Sequence, residues 1–110
     1  MPPYLVTQRG PEIGRRYELA RARFTVGRGR ANDLVLPDRL VSRYHAVLLL
    51  DADGVSIVDL GGINPVSVNN APLHPGEPRS LAHGDVLAIG GNVFSFQYPE
   101  RPEDERAAAV

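Results

Sequence analysis

The chain has 110 residues, 43% hydrophobic and 23% charged, with 12 Lys+Arg against 13 Asp+Glu for a formal net charge of −1. That is one domain's worth of globular composition, and it lacks the basic excess expected of a general nucleic-acid-binding module. Every basic residue is arginine and there is no cysteine, which excludes Schiff-base lysine chemistry, a P-loop, disulfides, cysteine zinc sites and thiol catalysis.

Short segments with period-2 alternation follow one another along the chain, separated by scattered glycine and proline. Tyr4 and Val6 alternate with Leu5 and Thr7. Tyr17 and Leu19 flank Glu18, and Phe24 and Val26 flank Thr25 ahead of Gly27. Leu34-Val35-Leu36 ends at Pro37. The stretch 38–53 holds neither glycine nor proline, and Leu40, Val41, Tyr44, Val47 and Leu48 fit a helical spacing that Asp38 could cap. Against the helix stands Asp53-Gly54, a hairpin signal between Leu48-Leu49-Leu50 and Val55-Ser56-Ile57-Val58. Pattern alone leaves both open there. Val86-Leu87-Ala88-Ile89 ends at Gly90-Gly91, and Phe94, Phe96 and Tyr98 line one face of the last strand. Strands spaced roughly 8–12 residues apart point to a sandwich or barrel. From Pro99 the composition turns to charged residues and alanine, so 1–98 reads as the domain and 99–110 as a solvated tail or linker. No apolar run approaches the ~18 residues of a membrane span, and the start lacks the regions of a signal peptide. A cytoplasmic location is expected, with no membrane partner.

Three clusters lie where strands give way to loops. In Val26-Gly27-Arg28-Gly29-Arg30 the glycines permit close approach to the backbone, and the arginines offer planar forks suited to phosphate or carboxylate. The plainer alternative is a turn with two solvated arginines. In Ser42-Arg43-Tyr44-His45-Ala46, a hydroxyl, a guanidinium and an imidazole sit close together. No nucleophile elbow surrounds Ser42, and a serine and a histidine at this spacing do not readily form a nucleophile–base pair. His45 reads equally as a buried imidazole tying two loops. The third cluster runs from Asp59 to Asn70, a polar loop in which Asn64 can donate and accept through one amide, matching a peptide unit. His45, His74 and His83 fall on different loops without ligand spacing. No catalytic residue, metal or cofactor is therefore expected.

Taken together and in register, these clusters resemble the forkhead-associated (FHA) domain. The matching pieces are Gly27-Arg28, Asn32-Asp33-Leu34-Val35-Leu36-Pro37-Asp38, Ser42-Arg43-Tyr44-His45-Ala46, the run from Asp59 through Asn64 to Asn69, and the run from Leu81 through Gly84-Asp85 to Gly90. The match extends from about Leu5 to Tyr98. The resemblance implies an all-β, eleven-stranded β-sandwich of the FHA/SMAD-like kind that binds phosphothreonine in partner proteins, hence a Ser/Thr kinase upstream, and no enzyme. It implies that 46–50 is a strand and 40–44 a loop. It implies that Arg28 grips the phosphate, Ser42 donates its hydroxyl to it, Arg43 adds positive charge at the rim and Asn64 pairs with the peptide main chain. Gly27 and His45 match scaffold positions. The sequence departs from the family pattern at Gly62 and Ile63, where a hydroxyl is usual, and at Pro65, where glycine is usual. An FHA-like scaffold that binds or dimerises without phosphate is the alternative.

Overall fold

The computed structural model describes residues 2–99. The part of the expected tail from position 100 onward lies outside the described residues. No helix occurs among the described residues, and so none is long and apolar enough to cross a membrane. The described residues form eleven strands: β1 (Tyr4–Arg9), β2 (Arg16–Glu18), β3 (Arg23–Gly27), β4 (Leu34–Val35), β5 (Ala46–Asp51), β6 (Gly54–Asp59), β7 (Ser67–Val68), β8 (Ala71–Pro72), β9 (Arg79–Ser80), β10 (Val86–Ile89) and β11 (Asn92–Gln97). They build two sheets, ordered β2-β1-β11-β10-β7-β8 and β4-β3-β5-β6-β9. Every pair is antiparallel except β3 with β4.

Period-2 alternation decides which side chains meet between the sheets. Val55 and Ile57 of β6 point inward, as do Leu87 and Ile89 of β10 and Phe94 and Phe96 of β11, all nearly or fully buried. Leu5, Val26, Leu48 and Val68 belong to the same core. The segment 38–53, ambiguous by pattern, resolves into a loop up to position 45 and then strand β5. The helical spacing loses because β5 is a central strand, paired with β3 from Arg23↔Leu49 to Val26↔Ala46 and with β6 along its whole length.

Two tight turns close the hairpins. The β7–β8 connection is Asn69-Asn70, both at positive φ (51° and 68°), a two-residue turn whose twist matches the strands. The β5–β6 hairpin shifts the expected turn by one position. Asp51 pairs with Gly54, so Ala52-Asp53 forms the turn, and Asp51 Oδ1 accepts the Asp53 N–H at 2.8 Å. Gly54 follows at φ 131°, a conformation a side chain rarely permits.

Candidate phosphopeptide site

The registers bring the end of β3, the start of β5 and the end of β6 side by side, since Val26 pairs with Ala46 and Ala46 with Asp59. Three loops leave from this line: 28–33, 36–45 and 60–66. The first two lie against each other. Arg28 N–H donates to the Ser42 carbonyl at 2.9 Å and Gly29 N–H to the Arg43 carbonyl at 3.0 Å. Asn32, buried, clips them together by donating its amide to the Gly29 and Arg43 carbonyls, each at 2.8 Å. Gly27 must be glycine, because a Cβ there would run into the Arg43 carbonyl oxygen and the Asn32 amide.

Arg28 donates through Nε to the Val41 carbonyl at 3.0 Å. That bond steadies the guanidinium while its two terminal nitrogens have no acceptor among the described residues. The residue as a whole is exposed. Ser42 is half-buried beside it, and Arg43 is exposed with its stem lying across Gly29.

His45 is fully buried and links the second loop to the third. Its Nδ1 accepts the Ser42 N–H at 2.9 Å, and its Nε2–H donates to the Asn64 carbonyl at 2.7 Å. The Asn64 side chain donates to the Leu40 carbonyl at 3.0 Å, which leaves its amide oxygen free to accept. Thus the structure gathers Gly27, Arg28, Ser42, Arg43, His45 and Asn64 where the three loops are joined. His74 and His83 lie elsewhere, the latter accepting the Tyr98 N–H at 2.9 Å.

Two carboxylates named in the sequence, Asp59 and Asp38, act as braces, a role the sequence reading did not assign to them. Asp59 is fully buried, its carboxylate accepting the Gly61 N–H at 2.8 Å and the Val66 N–H at 2.9 Å, so it shapes the third loop. The signal was present: after inward Val55 and Ile57, position 59 is the next inward one, and a buried carboxylate must find backbone donors. Asp38 anchors the second loop by accepting from Leu40 N–H at 2.9 Å, Gly91 N–H at 2.8 Å and the Asn92 amide at 3.1 Å. The Leu40 and Gly91 N–H groups hold its carboxyl below the usual carboxylate range. Its tie to Gly91 is long-range, and no local pattern announces it.

The departures in the third loop also have a physical setting. A Cβ on Gly62 would overlap Ser42 Oγ, so the small residue lets the third loop close against the second. Ile63, 95% exposed, projects into solvent beside Asn64.

A family model for the FHA domain matches residues 24–90. Among curated relatives, the glycogen accumulation regulator GarA of Mycobacterium tuberculosis is 38% identical over 102 residues, covering 92% of this chain and 61% of GarA. An oxoglutarate dehydrogenase inhibitor of Corynebacterium diphtheriae is 37% identical over 98 residues, covering 89% of this chain and 65% of the relative. The chain thus spans less than two thirds of the length of these relatives. One similar solved structure comes from a structural and functional analysis of phosphothreonine-dependent FHA domain interactions. Its TM-score is 0.78 at 31% identity, covering 89% of this chain and 97% of that one. Mycobacterium tuberculosis EmbR in complex with a low-affinity phosphopeptide aligns with a TM-score of 0.79 at 33% identity, over 87% of this chain and 24% of EmbR. The chain belongs to the FHA domain family.

Proposed function

We propose that this domain, over positions 1–98, is a non-catalytic cytoplasmic adaptor that binds a segment of a partner protein carrying a threonine phosphorylated by a Ser/Thr kinase. Arg28 and Arg43 meet the phosphate charge, Ser42 donates its hydroxyl to it, and Asn64 pairs with the main chain of the bound segment. Gly27 and His45 hold the loops in place. The observation that carries this reading is the Arg28 guanidinium: it is steadied at Nε by the Val41 carbonyl at 3.0 Å, beside Ser42, with its terminal nitrogens unclaimed among the described residues. Such a fork suits a dianionic oxyanion, and a phosphothreonine carries about −1.5 to −2 charges near neutral pH. The phosphothreonine-dependent and phosphopeptide-bound relatives support the same reading.

The threonine comes from outside these residues. The chain has only Thr7 and Thr25. Thr7 is buried in β1, and Thr25 exchanges hydrogen bonds with Asp33 at 2.8, 3.0 and 3.2 Å.

The test is a screen of an oriented phosphothreonine peptide library with unphosphorylated controls, followed by calorimetric titration of a selected sequence. Binding is expected only with the phosphate. Phosphothreonine should bind about four- to tenfold more tightly than phosphoserine, since burying one methyl is worth roughly 0.8 kcal/mol or somewhat more. Equal binding of the unphosphorylated segment would overturn this reading in favour of a phosphate-independent scaffold.

A further inference from the structure

We infer that the cleft between the edge strands β2 and β4 is a second recognition pocket, and that it takes the ring of a tyrosine or tryptophan of the phosphorylated partner, met by the Thr7 hydroxyl. The source of that ring rests on the phosphothreonine reading above; the chemistry of the pocket does not.

β2 ends one sheet and β4 ends the other. Tyr17 of β2 and Val35 of β4 both line a cleft of about 270 Å³, together with Leu36, Phe94, Pro11 and Pro37. Leu36 and Phe94 belong to the core, so the cleft brings solvent to the apolar interior. Tyr17 and Phe94 stand edge to face, their centroids 6.3 Å apart and their planes at 80°, an arrangement that a further ring extends. The volume is below the roughly 300–1,000 Å³ of pockets for drug-sized ligands and leaves room for one ring.

The polar groups in the cleft select the kind of ring. Thr7 is only 3% exposed, and its hydroxyl has no hydrogen-bond partner among the described residues. A buried hydroxyl without a partner is costly, and Thr7 lines the cleft. Asn92 lines it too. Its amide nitrogen donates to Asp38 and to the Ile89 carbonyl, which leaves the amide oxygen to accept. Glu12, the one charged residue among those lining the cleft, is paired with Arg15 at 2.6 Å. The cleft therefore suits a neutral ring bearing one N–H or O–H, rather than a cation or an anion.

The surface that adjoins the cleft points to the occupant. Leu36 and Pro37 begin the same loop, 36–45, that carries Val41, Ser42 and Arg43 to the proposed phosphate site. A neighbouring groove shares Pro11, Pro37 and Asn92 with the cleft and continues past Asp38 and Arg39. A partner held on this loop by its phosphothreonine thus reaches the cleft along one concave surface.

The experiment extends a phosphothreonine peptide on either side, through flexible spacers of about four, eight and twelve residues, to a tryptophan, tyrosine, phenylalanine or alanine. Each peptide is titrated against wild type, Thr7→Val and Val35→Trp. In wild type, tryptophan and tyrosine should bind about three- to tenfold more tightly than alanine at the best spacing, a gain set by effective concentration. Phenylalanine should gain less than tyrosine. Amide NMR shifts caused by the tyrosine peptide, relative to the alanine one, should include Thr7, Val35 and Asn92. Thr7→Val should keep a denaturant midpoint no lower than wild type, because it removes an unpaired buried hydroxyl. It should bind the alanine peptide within about twofold of wild type and bring tyrosine down to the level of phenylalanine. Val35→Trp, which fills the cleft with a ring from an exposed position, should abolish the gain of all three rings. The inference is overturned if no ring gains over alanine, or if phenylalanine equals tyrosine in wild type. A tyrosine gain undiminished in Thr7→Val, or surviving in Val35→Trp, overturns it equally. Failure of every phosphopeptide to bind folded wild type overturns the phosphothreonine reading, and with it the occupant assigned here.

Discussion

The His45 imidazole and the main-chain carbonyl of Asn64 lie 2.7 Å apart, and this bond, together with that from the Asn64 amide to the Leu40 carbonyl, ties the third site loop to the second. The other ring nitrogen takes the Ser42 N–H at 2.9 Å. One fully buried side chain thus fixes the spacing between the serine proposed for the phosphate and the asparagine proposed for the peptide backbone. His45→Ala would leave a buried N–H and a carbonyl unpaired and open a cavity between the loops. The expected cost is about 2–5 kcal/mol of stability, read as a lower denaturant midpoint, together with loss of phosphopeptide affinity in the folded fraction. A variant as stable as wild type would show that the ring is not the brace.

Arg28→Ala separates phosphate reading from scaffolding. Truncating one partner of a shielded charge pair costs about 2–5 kcal/mol of binding, so affinity for a phosphothreonine peptide should fall at least about thirtyfold. Circular dichroism should show an unchanged fold, since only one part-buried hydrogen bond, to the Val41 carbonyl, is lost. Arg9→Ala, at the end of β1, is the control and should bind like wild type. In wild type, affinity should also decline below about pH 6, where the phosphate takes up its second proton.

Position 62 tests why this chain lacks the usual hydroxyl. Gly62→Ser places a Cβ on Ser42 Oγ and forces that hydroxyl into another rotamer. The variant should bind phosphopeptide several-fold more weakly than wild type, although it restores the family residue. Ile63→Thr, on a 95% exposed side chain, should change stability by no more than about 0.5 kcal/mol. Titration of both variants with one peptide decides the matter; tighter binding by Gly62→Ser would mean the loop has room for the hydroxyl.

Asp38 makes the site acid-sensitive. Its carboxyl is depressed by the Leu40 N–H first and the Gly91 N–H next. A depressed folded value means that the unfolded chain takes up the proton more readily. The stabilisation is therefore whole above the ordinary value of about 3.9 and is lost as pH falls through the folded one. The second loop should loosen from the β10–β11 turn below about pH 4. Denaturant midpoints measured from about pH 5 to pH 3 should fall more steeply in wild type than in Asp38→Asn. Parallel slopes would assign the acid sensitivity to other carboxylates.

Strands with strong alternation were legible in the chain: Val55 and Ile57 mark β6, and Phe94 and Phe96 mark β11. The two-residue strands β7, β8 and β9 carry no period to read, because each exists only through its partner in the sheet. The one-position shift of the β5–β6 turn has the same origin. Local chemistry favours Asp-Gly at the centre of a turn, but the register Asp51↔Gly54 follows from the full ladder between the strands.

The sequence by itself determined which chemical groups the loops carry: the guanidinium of Arg28, the hydroxyl of Ser42, the amide of Asn64 and the glycines that admit close backbone. These are local properties, set by residue type and by position at a strand end. The tertiary structure alone decided that they meet. Arg28 finds the Val41 carbonyl, His45 finds Asn64 and Asp38 finds Gly91 only after the ends of β3, β5, β6 and β10 are aligned. A hydrogen bond forms at about 3 Å whatever the separation along the chain, so partners 13, 19 and 53 residues apart are chosen by sheet register rather than by spacing in the sequence.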